Sequence, residues 1–377
     1  MNAESYVSEL EKCMSCLKLC RFSCPVAEVT GSETYTPSGK TALLYYLLNN
    51  KLEWNYENTS PFYMCLLCGR CKEFCDLDVD IPNIMRAARY EAVKRNLAPS
   101  FARDIRDKIL SSNNIYGKNN EERNKLLEKY KFTGENGKIL IFAGCKVSFE
   151  AIDILDRLID ILNSANVDFS LLGEKEPCCG APLFDLGFYD DFLNKAKETA
   201  EILNAGNYET IITLCPNCHK MLSEIYKCEG ITLSAKIVHY TEFLNALRKE
   251  GKIIFEKIAD DEIYGYHDPC KLADVDLFEA PRELLNAVTD NVREFQWNRK
   301  MTYCCGSGSS LEKLDSETSQ KIGNNRIEEA EDLGITTIVT SCQTCVNTLF
   351  GLSNKSHNNI KVREITEILH VKKGQIK

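Results

Sequence analysis

Two pairs of adjacent cysteines, Cys178-Cys179 in EPCCGAP and Cys304-Cys305 in YCCGSG, raise the first chemical question. Bridging neighbouring residues forces a strained ring far from the usual Cα separation of a disulfide, so these thiols should face something other than each other. They belong to a set of 19 cysteines in 377 residues. The N-terminus MNAESYVSELEKC lacks the apolar core of an export signal, and no apolar run reaches the roughly 18 residues that would cross a membrane. A cytoplasmic chain is therefore expected, with any membrane association made through a partner. In a reducing compartment such thiols read as metal ligands or redox groups rather than a disulfide framework.

Eight of the cysteines fall in two short runs. CMSCLKLCRFSCP supplies Cys13, Cys16, Cys20 and Cys24, and CLLCGRCKEFCD supplies Cys65, Cys68, Cys71 and Cys75. Spacings of two or three residues let one loop wrap several thiolates round a single iron–sulfur cube, and the fourth cysteine of each run can ligate the other cluster. Two cubane [4Fe-4S] clusters are expected. The second run has the spacing usual for such runs, with Asp76 where proline is common, and the first carries one extra residue between Cys16 and Cys20. Four-cysteine zinc sites also use C-x2-C knuckles, but they separate the two knuckles by a longer span than either run allows.

The remainder of the chain repeats itself. Cys145 and Cys270 lie 125 residues apart, Cys178 and Cys304 lie 126 apart, and Cys215 and Cys342 lie 127 apart; KIVHYTEFL from Lys236 matches KVREITEIL from Lys361. In the first copy KILIFAG, VDFSLLG, ETIITL and KIVHY read as strands, and FEAIDILDRLIDILNSA, FYDDFLNKAKETAEILNAG and PNCHKMLSEIYK as helices. In the second, EIYGYHD, NVREFQW and TTIVTS take the strand roles, with a long helix around SETSQKIGNNRIEEAEDLG. The alternation predicts mostly parallel sheets with right-handed crossovers. Cysteines that follow the strands then collect at the carboxyl edge, where helix N-termini favour thiolates and an anionic group. Gly180 and Gly306 are expected to let the backbone approach the inorganic part.

Each copy has the form of one cysteine, a CC pair, then C-x2-C, and this double signature resembles the cysteine-rich CCG domains of the catalytic subunit of heterodisulfide reductase, in the version with a ferredoxin-like domain on the same chain. The resemblance implies two non-cubane [4Fe-4S] clusters, one on Cys145, Cys178, Cys179, Cys215 and Cys218, the other on Cys270, Cys304, Cys305, Cys342 and Cys345. It also implies that a small disulfide is split between them, with Cys179 and Cys305 central to the chemistry. The layout is similar as well to iron–sulfur subunits of flavin-dependent glycolate, lactate or glycerol-3-phosphate dehydrogenases, which pass electrons without disulfide chemistry. The fold expected is α+β multidomain: an α-helical ferredoxin-like domain over residues 1–100, a basic helical linker over 101–137, and a duplicated α/β parallel-sheet domain over 138–260 and 261–377.

Ligand sets of four, four, five and five leave Cys228, expected to be a small buried apolar residue. In YHDPCKL, His267 lies three residues before Cys270; an imidazole there could pass protons to a departing thiolate, or fix the loop by a hydrogen bond. His219 after CPNC is expected to cap a helix or lie exposed, and Lys271 to attract an anionic group on a substrate. A formal charge of -9 argues against nucleic acid as the partner. No G-x-G-x-x-G follows a strand, so electrons should arrive from a partner, a flavoprotein or a membrane cytochrome subunit.

Overall fold

The computed structural model describes residues 1–129, 137–356 and 360–372. Residues 130–136 of the expected linker, and 357–359 and 373–377 of the expected last domain, lie outside the described residues. Up to residue 129 the described chain is helical. The helix Ile81–Lys94 starts where Asp80 accepts the Asn83 N–H at 3.1 Å and Pro82 fills the first turn. Its apolar positions Ile81, Ile84, Met85, Ala88 and Ala92 are buried at helical spacing. Short helices Val7–Ser15, Pro25–Thr30, Pro37–Leu48 and Tyr56–Tyr63 frame the two cysteine runs, with Cys13 inside Val7–Ser15, Cys20 in the 3-10 turn Leu19–Ser23, Cys71 in the short helix Arg70–Glu73 and the others in the segments that join them.

The first repeat forms a four-stranded parallel sheet from β1 (Ile139–Phe142), β2 (Ser170–Leu171), β3 (Thr210–Thr213) and β4 (Lys236–His239), in the order β2-β1-β3-β4. The second forms a three-stranded parallel sheet from β5 (Tyr264–Tyr266), β6 (Thr337–Thr340) and β7 (Lys361–Glu364) in sequence order. Strands such as ILIF and TIVT are apolar or β-branched throughout because helices cover both faces. Crossovers include Ile152–Ser164, with Leu155, Leu158, Ile159 and Leu162 turned inward, and Ser316–Asp332, whose N-cap Asp315 accepts the Thr318 N–H at 2.9 Å.

One expected strand is absent. NVREFQW contributes only an isolated bridge between Val292 and Tyr264. Beyond Arg293 the segment leaves the sheet edge: Phe295 enters the core, and the Trp297 carbonyl accepts from Arg326 at 2.9 Å. Side-chain anchors have replaced ladder bonds there.

The repeats share one core, in which Leu158, Ile212 and Tyr240 of the first join Tyr264, Leu284 and Val339 of the second. A buried polar link crosses the same junction: the Tyr240 hydroxyl donates to Glu364, which also accepts the Thr366 N–H at 2.7 Å. Burial pushes the Glu364 carboxyl up to about 7. Between its ordinary value near 4.5 and 7, the folded chain holds a proton that the unfolded chain has lost, so stability falls as pH rises through that window, by on the order of 3 kcal/mol. Glu364→Gln should therefore raise the thermal unfolding midpoint at pH 8 and leave it nearly unchanged at pH 5.

Candidate metal centres

The two N-terminal runs interlock. Cys13, Cys16 and Cys20 line one cavity together with Cys75 of the second run. Cys65, Cys68 and Cys71 line another together with Cys24 of the first. The exchange follows from local geometry: Cys24 is the N-cap of Pro25–Thr30 and is carried away from its own run, while Cys75 ends the turn that follows Gly69, whose φ is +81°. The extra residue between Cys16 and Cys20 is absorbed outward, with Lys18 in the left-handed region and Leu17 90% exposed.

Burial pushes the thiols up, Cys13 to about 11 and Cys20 to about 12, with neighbouring thiols adding to the effect at Cys20. Cys68 rises to about 12 for the same reasons. Thiols in this state coordinate when a metal displaces their protons, and an all-sulfur donor set of four suits iron–sulfur clusters or zinc. The residues present therefore fit the clusters expected from the sequence.

The five-cysteine sites form at the carboxyl edges of the two sheets. Cys145 follows β1 at the start of Gly144–Glu150, Cys178 and Cys179 precede Ala181–Leu186, and Cys215 caps the helix Pro216–Lys220 that carries Cys218. The Cys178 thiol donates to Cys179, holding Cys179 well below the ordinary thiol range, and Cys218 hydrogen-bonds both Cys179 and Cys215. Cys145 feels the charge of Cys179 and Cys215. The second site repeats the pattern: Cys305 is drawn down by donation from Cys304 and Cys345, while Cys270 meets Cys304 and Cys342 meets Cys345. All five side chains of each set thus converge. A Cβ on Gly306, φ +103°, would sit 2.2 Å from the Ser319 carbonyl oxygen, and one on Gly180 would sit 3.0 Å from the Phe192 ring, so both let the turn lie against the following helix.

The four thiol groups stand in a row. Cys71 senses Cys20 of the first cavity; Cys68 senses Cys270, and Cys304 senses Cys68; Cys342 senses Cys215. The second N-terminal site therefore abuts the second-repeat site, which faces the first-repeat site.

One ring nitrogen of His267 lies within 4.8 Å of the Cys305 and Cys345 sulfurs. Arg326 Nε donates to His267 Nδ1 at 3.0 Å, and burial with Arg326 nearby pulls the imidazole down to about 3, so it is neutral with its proton on Nε2. Asp268 is turned to Arg282, in a pair of bonds at 2.6 and 2.7 Å. Lys271 is buried against Asp185 at 3.2 Å and the Leu67 carbonyl at 3.3 Å, so its charge is already matched. Two expectations are corrected. His219 is neither a cap nor exposed; it is buried, paired with the Thr213 hydroxyl at 3.1 Å and edge-on to His239. Cys228 is exposed, at the C-terminal end of its helix.

Sequence reasoning missed the groups that join the two repeats and reach the first-repeat site. Lys220 of the first repeat pairs with Asp274 of the second, and Asn347 of the second donates to Glu150 of the first at 3.3 Å. Tyr116, from the stretch read only as linker, packs edge-on to Phe149 with its hydroxyl beside Glu150, Cys145 and Cys215; burial, then the Glu150 carboxylate, raises it far above the usual phenol range.

Residues 139–223 and 264–350 match the Cysteine-rich domain, and residues 9–79 match the 4Fe-4S dicluster domain. One component of the dihydromethanophenazine:CoB–CoM heterodisulfide reductase of Methanosarcina acetivorans is 26% identical over 80% of this chain and 75% of that protein. The EtfAB:quinone oxidoreductase of Syntrophomonas wolfei is 26% identical over 91% of this chain, which spans only 49% of it. The probable iron-sulfur-binding oxidoreductase FadF of Bacillus subtilis is 24% identical, over 81% of this chain and 46% of that protein.

The interlocked runs generate a test. Cys75→Ala should cost the cluster of Cys13, Cys16 and Cys20, and Cys24→Ala that of Cys65, Cys68 and Cys71, each removing about four irons per chain. Loss in the opposite assignment, read from the surviving paramagnetic signal, would contradict the exchange.

Proposed function

Because the chain belongs to the iron–sulfur proteins that join a 4Fe-4S dicluster domain to two cysteine-rich domains, we propose that it reduces a small disulfide at the cleft between its repeats. It is an iron–sulfur electron-transfer protein related to a component of heterodisulfide reductase. The observation that carries the finer reading is that both five-cysteine sets are complete and face one another, with Cys215 and Cys342 on the shared border. The division of the chain at residues 100, 137 and 260 belongs to the same reading.

The overall change is the breaking of one S–S bond by two electrons and two protons to give two thiols. When bound, the clusters supply one-electron carriage at the N-terminal sites and iron that takes up sulfur at the repeats, two of them cubane and two non-cubane. The protein's own part is to hold, orient and exclude. Cys68, half-buried, lies beside Cys270 of the second repeat, so electrons from a flavoprotein or membrane cytochrome partner would reach that repeat first. His267 presents a neutral N–H beside Cys305 and Cys345, locked in that tautomer by Arg326, and serves as a hydrogen-bond donor to sulfur rather than as an acid. The Lys220–Asp274 pair ties the repeats together. No helix among the described residues is long and apolar enough to cross a membrane.

A second reading has specific support in the similarity to the EtfAB:quinone oxidoreductase: a relay of electrons from a flavoprotein without disulfide chemistry. The two are separated by thiol. On the proposed reading, adding a small thiol to the oxidised protein produces a new paramagnetic signal. Cys179→Ala or Cys305→Ala each abolishes that signal and lowers disulfide turnover with reduced viologen at least a hundredfold (about 3 kcal/mol). If neither thiol nor disulfide perturbs the spectrum while the protein still takes electrons from a flavoprotein, the relay reading replaces it.

A further inference from the structure

The cavity between Cys24, Cys65, Cys68 and Cys71 is also lined by Lys40. Its position is dictated by the start of its helix: Thr36 accepts the Gly39 N–H at 2.9 Å and Pro37 fixes the first turn. That entry turns Lys40 inward, where it is 1% exposed. No carboxylate lines the cavity among the described residues. Two more buried cations stand at the same site, also without carboxylates as their direct partners. The Arg70 guanidinium lies 4.2 Å over the Trp297 ring and donates to the Ser23 carbonyl at 3.3 Å. Arg89 donates to the Phe62, Cys65 and Asp185 carbonyls and to the Ser309 hydroxyl. The nearby Asp185 carboxylate is taken up by Arg86 and Lys271.

Burying a lysine charge is costly unless an anion accompanies it. An iron–sulfur cube on four thiolates is such an anion, and its potential depends on the charges and burial around it. The other N-terminal cavity is different: the charged residues on its rim, Lys12, Lys18 and Asp76, are all exposed, and water screens them.

We infer that Lys40 is the counter-charge of the cube held by Cys24, Cys65, Cys68 and Cys71, and that it raises the potential of that cube above that of the cube on Cys13, Cys16, Cys20 and Cys75. Electrons then run downhill from the outer cube to the one against the second repeat. The inference rests on both N-terminal sites holding cubes, and not on disulfide reduction.

The test is a redox titration of the anaerobically reconstituted full chain, followed by electron paramagnetic resonance, for the wild type, Lys40→Gln and Lys40→Arg. In Lys40→Gln the midpoint of one cube moves to more negative potential, the other stays, and the order of reduction of the two cubes narrows or reverses. Lys40→Arg, which keeps the charge, stays near the wild type. Loss of one cube in Lys40→Gln but not in Lys40→Arg also supports a counter-charge. Unchanged midpoints in both variants, or equal loss of the cube in both, overturn the inference, because charge is then not what matters. A wild type with no reducible cube overturns the cluster reading, and this inference with it.

Discussion

Withdrawing many thiols from water into close groups is the constraint from which the architecture follows. Every cysteine but Cys228 is buried or half-buried. In the N-terminal sites burial pushes Cys13, Cys20, Cys68 and Cys71 toward their protonated form, and in the five-cysteine sites adjacent thiols divide their protons unevenly among themselves. Such groups hold together once metal supplies the positive charge. The elements are arranged accordingly: short helices and the turns that join them carry the N-terminal runs, and parallel sheets deliver the other ten to their carboxyl edges.

The duplication is symmetric in its ligands and asymmetric in its surroundings. The second-repeat site lies against the N-terminal region, where Lys271 donates to the Leu67 carbonyl at 3.3 Å, and it also reaches Asp185 of the first repeat at 3.2 Å. In the first repeat the matching lysine, Lys146, pairs with Glu150 and stays partly exposed. His267 serves the second site, whereas Phe142 stands at the matching position and Tyr116 reaches the first site from outside the repeat.

The groups of cysteines that come together were legible because they are written locally, in spacings of two or three residues, and because a repeat offset of about 125 aligned the distant ones. Strands such as ILIF and TIIT were legible from continuous apolar runs. What stayed hidden depends on contacts between distant residues. Arg86 and Asp185 lie 99 residues apart, and neither periodicity nor composition says which of many charges turns inward. Cys228 looked apolar and sits at a helix end in water; His219 looked like a cap and is held inside by Thr213. NVREFQW had a strand-like alternation, but Phe295 and Trp297 are used as anchors. The exchange of Cys24 and Cys75, by contrast, follows the pattern expected of such runs, in which the fourth cysteine can ligate the other cluster.

The central claim, that the four thiol groups hold two kinds of iron–sulfur cluster in one electron path, is tested most directly by counting iron and sulfide in the anaerobically purified chain alongside its Mössbauer spectrum. The account predicts about sixteen irons per chain, in two spectroscopic classes of equal weight. About eight irons of a single class, or zinc in place of iron, would contradict it.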